Sequence, residues 1–165
     1  MRTLVAVTCL VALAAGCGRP SDVSTDREAA RAALDQYVID LWVKRDQAAL
    51  DRALSESMVY HYNGRVIPGD PEAHRKALAS FGGAFPDLAA TVDVFTMHGD
   101  LGAAVTTWTG THTGVLCQTP GTGTKVSWVV NYVFRVADGR IVELWEAWDE
   151  GGTHRKLGID SSKCG

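Results

Sequence analysis

What this 165-residue chain has little of already narrows its class. It has no basic run: sixteen Lys and Arg against nineteen Asp and Glu leave a net charge of −3, so a binder of nucleic-acid backbones has no electrostatic footprint here. Its four cysteines form no Cys-x-x-Cys pair, and His61, His74, His98, His112 and His154 show no i, i+4 spacing of a helical zinc site. Neither a metal nor a cofactor is expected. With only 5 prolines and 21% charged residues beside 46% apolar ones, the chain is neither disordered nor fibrous. At this length it holds one domain, and two catalytic domains do not fit.

Residues 4–15 form an apolar stretch behind Arg2 and lead through small residues into Cys17. The stretch is shorter than the roughly 20 residues that cross a bilayer and reads as a secretory signal. Its small-small-Cys ending resembles a bacterial lipobox, which implies a signal over residues 1–16, lipidation of Cys17, and a polar tether over residues 17–24. The chain is therefore expected to be exported and held at the membrane by lipid. Cys9 falls in the signal, leaving Cys117 and Cys164 either bridged or as two free thiols, the latter at the end of a loose tail.

Thr25-Asp26-Arg27-Glu28 has the capping-box pattern. Ala30, Ala33, Leu34, Tyr37, Val38, Leu41 and Trp42 then recur at helical spacing, which predicts an amphipathic helix over residues 26–44. A short second helix is expected behind Asp46, a strand over residues 58–62, and a loop from Asn63 to Gly69. Asp70-Pro71 opens a third helix running to about Phe85. Beyond Pro86 the period becomes two: residues 89–98, 103–114, 125–136 and 140–148 read as strands bounded by turn residues. Helices followed by a meander predict an α+β fold, a curved antiparallel sheet packed with three N-terminal helices.

Asp138-Gly139 predicts a two-residue hairpin. With Ala137 opposite Arg140 and no bulge, Tyr132 faces Trp145, Phe134 faces Glu143 and Trp128 faces Asp149, so all six share one face. Two carboxylates among aromatics form a candidate acid/base site, because desolvation raises a carboxyl pKa toward working pH. Asp149 is the favoured base at a strand end, with a strand-end cap as its structural alternative. Glu143 reads equally as a carboxylate paired with an arginine. The opposite face, with Asn131, Arg135 and Glu146 among Val129, Val133, Leu144 and Trp148, is a candidate homodimer surface or a face covered by helices.

Phe85-Pro86-Asp87-Leu88, Gly110-Thr111-His112-Thr113-Gly114, Pro120, Thr122 and Gly123, the run from Phe134 to Asp149 with its Trp145-x-x-x-Asp149 ending, and Leu157-Gly158 together resemble the SnoaL-like polyketide cyclase family of the nuclear transport factor 2-like superfamily. The resemblance spans roughly residues 27–158, which places the domain over residues 25–158 and leaves 159–165 as a tail. It implies a cone-shaped α+β barrel around a deep pocket, and a ring-closing aldol condensation without metal or cofactor. In it Asp149 looks like the base, while His112 and His61 look like cavity-lining polar residues. Trp128, Tyr132, Phe134, Glu143 and Trp145 complete the expected pocket for a small hydrophobic molecule. The chain departs from the family in Pro120-Gly121-Thr122-Gly123-Thr124, which has one proline fewer in that turn, and in Lys156 before the final Leu-Gly. Two functions remain open: acid/base cyclisation or isomerisation of a carbonyl compound, and non-catalytic capture of an apolar ligand.

Overall fold

The computed structural model describes residues 20–164; the signal of residues 1–16 and Cys17 lie outside them. Helix α1 (Pro20–Asp35) runs straight into a π-helical segment (Gln36–Val43). The expected stripe is the one that packs: Ala30, Ala33, Leu34, Tyr37, Val38 and Leu41 are all buried. The helix starts six residues ahead of the expected residue 26, with Pro20 in the first position that a missing N–H suits. The short α2 (Ala48–Ala53) and α3 (Pro71–Ala84) follow; Asp70 caps α3 by accepting from the Glu72 N–H at 2.9 Å.

The sheet has six strands, β1 (Leu54–Tyr62), β2 (Arg65–Pro68), β3 (Ala89–His98), β4 (Leu101–Thr111), β5 (Lys125–Ala137) and β6 (Arg140–Trp148), in the order β2-β1-β6-β5-β4-β3. The fold is α+β with a curved sheet, as expected, but the sheet is not wholly antiparallel: β1 lies parallel to β6. No hairpin joins these two strands, so turn geometry does not dictate their relative direction. Two further elements correct the expected layout. The segment from Asn63 is a hairpin, not a loop: Asn63 and Gly64 both take positive φ (46° and 80°) and pair Tyr62 with Arg65. A fourth helix, α4 (Glu150–Leu157), adds to the three expected.

Along β5 burial alternates without a break from Val126 through Trp128, Val130 and Tyr132 to Phe134, the pattern of a sheet with one face in the core. The inner faces of β4 and β5 meet at Trp108 opposite Trp128 and Ala104 opposite Tyr132. The β5–β6 hairpin begins as expected, with Ala137 opposite Arg140 and Val136 opposite Ile141, but Arg135 then pairs with Glu143, leaving Val142 as a one-residue bulge. From there every β6 residue faces the other way from the bulge-free reading. Tyr132 now faces Glu146, Phe134 faces Leu144, and Val130 faces Trp148. No helix among the described residues is long and apolar enough to cross a membrane.

Candidate functional site

Inside the curve of the sheet lies a cavity of about 430 Å³, walled by β1, β4, β5 and β6, the π-helical segment, α3, α4 and the C-terminal residues. The π-helical segment shapes one side. Its i to i+5 bonding, seen in the Lys44 N–H on the Ile39 carbonyl at 2.9 Å, brings Tyr37 and Trp42 edge to face at 6.3 Å. Helical bulges of this kind often mark functional sites.

Glu146 stands in this wall, projecting from the inner face of β6. Its Oε2 accepts from the Tyr60 hydroxyl at 2.8 Å and the Tyr37 hydroxyl at 3.3 Å. Among the described residues no hydrogen bond reaches Oε1, and no cation pairs with the carboxyl. The side chain is part-buried in the cavity wall, among Tyr60, Tyr132 and Trp148. That burial is the main cause pushing its pKa up to about 7; the tyrosine bonds pull the other way, and Glu150 adds to the rise. Burial first, and the Glu146 charge after it, hold Tyr37 and Tyr132 well above the usual phenol range; Tyr60 is raised as well, so all three stay neutral. Near neutral pH Glu146 thus exchanges a proton readily, which suits a general acid or base.

On α3, His74 shares the wall, its ring 5.1 Å from that of Tyr60. Burial lowers its pKa. Its Nδ1 lies 3.3 Å from the Asp70 carbonyl, to which it donates, and its buried Nε2 has no hydrogen-bond partner among the described residues. The C-terminal end is docked, not loose: a disulfide joins Cys117 to Cys164, and both sulfur-bearing residues line the cavity with His154. Cys117, Cys164 and His154 lie within 4.8 Å of one another, but sulfurs joined in a disulfide offer a metal no thiolate.

Of the residues expected in the pocket, Trp128 and Tyr132 line it. Phe134 is fully buried beyond it, against Phe95. Glu143, Trp145 and His61 stand together on the outer face of the sheet, because the Val142 bulge turns β6 over and β1 runs beside it in parallel register. There His61 stacks on Trp145 at 4.7 Å and its Nε2 meets Glu143 Oε1 at 3.0 Å, while Arg135 approaches the same carboxylate at 3.4 Å. His112 is enclosed behind Phe85, its Nδ1 3.2 Å from the Thr122 hydroxyl; it does not line the cavity, and burial lowers its pKa. Asp149 is exposed and caps α4, accepting from the Gly152 N–H at 2.7 Å, which is the structural alternative weighed for it.

Glu146, Tyr37, Tyr60 and His74 were missed as site residues. The face assignment hid Glu146, because a bulge leaves no mark on a Val-Ile-rich strand. Tyr37 sat in a helical stripe that reads as plain core. A signal for α4 was present: Asp149 and Gly158 bracket it as N-cap and left-handed C-cap, with φ of 70° at the glycine.

Solved structures of similar fold come from several bacteria. AclR of Streptomyces galilaeus, to which a hydroxylase role is attributed, is 25% identical at a TM-score of 0.70 over 80% of this chain and 82% of its own. TsrD of Streptomyces laurentii is 25% identical at 0.70 over 81% and 98%. IdmH of Streptomyces antibioticus, to which a polyketide cyclase role is attributed, is 27% identical at 0.66 over 77% and 99%. No curated protein matches the chain. The sequence model of SnoaL-like polyketide cyclases matches residues 32–157, a span from α1 to the last residue of α4 that takes in every wall of the cavity except the C-terminal residues, and the chain therefore belongs to the SnoaL-like polyketide cyclase family.

Proposed function

We propose that the protein is an acid/base catalyst acting, without a cofactor, on a small hydrophobic carbonyl compound, with Glu146 as the base in place of Asp149. The observation that carries this reading is the Glu146 carboxyl in an aromatic cavity, its pKa pushed up to about 7, with one oxygen held by two tyrosine hydroxyls and, among the described residues, the other unbonded. Glu146 Oε1 takes the proton from the carbon next to the carbonyl. The resulting carbanion attacks a second carbonyl of the same molecule, forming the new C–C bond. Glu146 then returns the proton to the alkoxide, so no group is lost. In an isomerisation the proton returns instead to another carbon.

The test is deuterium exchange at the α-carbon of 2-tetralone in heavy water, followed by NMR. The wild-type protein is expected to accelerate exchange, Glu146→Gln to lose at least about 100-fold of that acceleration, and Asp149→Asn to keep it. Equal rates for wild type and Glu146→Gln would overturn the assignment, and no acceleration by the wild type would leave a ligand-binding role for the cavity.

Export and lipid anchoring at Cys17 belong to the same proposal. The Cys117–Cys164 bridge supports it, because such bonds persist in oxidising compartments. Labelled palmitate fed to cells is expected to enter the wild-type protein and not Cys17→Ser; label retained in that variant would refute the anchor.

A further inference from the structure

The charge lining the cavity is of one sign. Four of the five tryptophans, Trp42, Trp108, Trp128 and Trp148, face it together with three tyrosines. Its two acidic residues are Glu146 and Glu150, and among the described residues no lysine or arginine lines it. The two histidines in the wall do not offset these carboxyls. His74 donates from Nδ1 to the Asp70 carbonyl, and His154 Nδ1 lies 2.9 Å from the Ser161 hydroxyl, so neither bonds to a glutamate. Nearby cations are engaged elsewhere: Arg45 on the Phe85 and Pro86 carbonyls, and Arg135 on Asp100 and the outer-face Glu143.

The two carboxyls bracket an aromatic pair. The Trp148 indole N–H donates to the Tyr62 hydroxyl at 2.8 Å, and Asn63 donates to Glu150 Oε2 at 3.4 Å. Burial, and next the charge of Glu150, raise the Tyr62 pKa. Ring faces are negative in their quadrupole, and a cage of them selects a desolvated cation. An anionic ligand would meet two carboxyls with no compensating charge. A neutral one would leave ionised Glu146 with tyrosine hydroxyls but no opposite charge, at a cost a positive ligand removes.

We propose that the ligand of this cavity is an organic cation, a protonated amine or quaternary ammonium group on an aromatic or aliphatic body, seated between Glu146 and Glu150 among the tryptophan faces. This deepens the catalytic reading and rests on the part of it that makes the cavity the ligand site: the substrate would be a carbonyl compound that also carries a positive charge.

The experiment compares two probes of nearly the same shape, phenyltrimethylammonium and tert-butylbenzene, bound to the wild-type protein at pH 8 and read by tryptophan fluorescence and by NMR of the methyl protons. The cation is expected to bind at least about tenfold more tightly. Glu150→Gln and Glu146→Gln should each narrow that ratio. Equal or tighter binding of tert-butylbenzene would overturn the cation preference and leave the cavity as a ligand site; failure of both probes to bind would overturn both readings. The comparison on the wild-type protein decides the question even if a variant does not fold.

Discussion

Glu143 and Glu146 lie three residues apart on one strand and experience different chemistry. Glu143 faces outward, shares its carboxylate with His61 and Arg135, and has solvent beside it. Glu146 faces inward, bonds only to two neutral tyrosines, and is pushed up to about 7 by burial. Residue type is the same, so the difference comes from what surrounds the charge: on the outer face an arginine and a histidine ring share it, and on the inner face only two tyrosine hydroxyls do. A structural role suits the first environment and proton transfer the second.

The largest break in this comparison should come from pH and stability. Because the folded-state pKa of Glu146 lies above its unfolded value, the protonated group favours folding below about pH 4.5. That advantage is lost as pH rises through 7. Tyr37, Tyr60, Tyr132, His74 and Glu150 are the titratable groups around it, and the tyrosines stay neutral throughout that range. Glu146→Gln is therefore expected to match the wild type in urea melts near pH 4.5 and to exceed it by up to about 3 kcal/mol at pH 8. A difference that does not change with pH would show that Glu146 is not buried as described.

The smaller test is on the other face. Glu143→Gln removes a part-exposed pair and should cost less than about 1 kcal/mol, less again in high salt, with α-proton exchange unaffected. A loss of exchange in Glu143→Gln comparable to that in Glu146→Gln would erase the distinction between the two carboxylates.

Much of the scaffold was readable beforehand, for reasons visible in particular residues. The stripe from Ala30 to Leu41 has a helical period that only a buried face rewards, and Asp70-Pro71 is a cap with a mechanism. The alternation in β5 follows directly from the pleat of a strand. The site was much less readable. Trp128 and Tyr132 were placed correctly because β5 carries no irregularity before the turn. Glu146 was placed on the wrong face because one bulged residue, Val142, reverses every side chain after it. His112 and Asp149 lie in motifs shared with the family, yet one is sealed behind Phe85 and the other caps a helix.

By itself the sequence determined the class of the molecule: an α+β fold, its helical stripe and its meander of strands, while the cavity was implied only by the family resemblance. The fold class follows from local periodicity and composition, which each segment carries without reference to its neighbours. Only the tertiary structure decided which carboxyl enters the cavity, that β1 runs parallel to β6, and that Cys117 bridges Cys164. Each depends on contacts between residues far apart in the chain, and a register one residue out changes their outcome while leaving every local propensity unchanged.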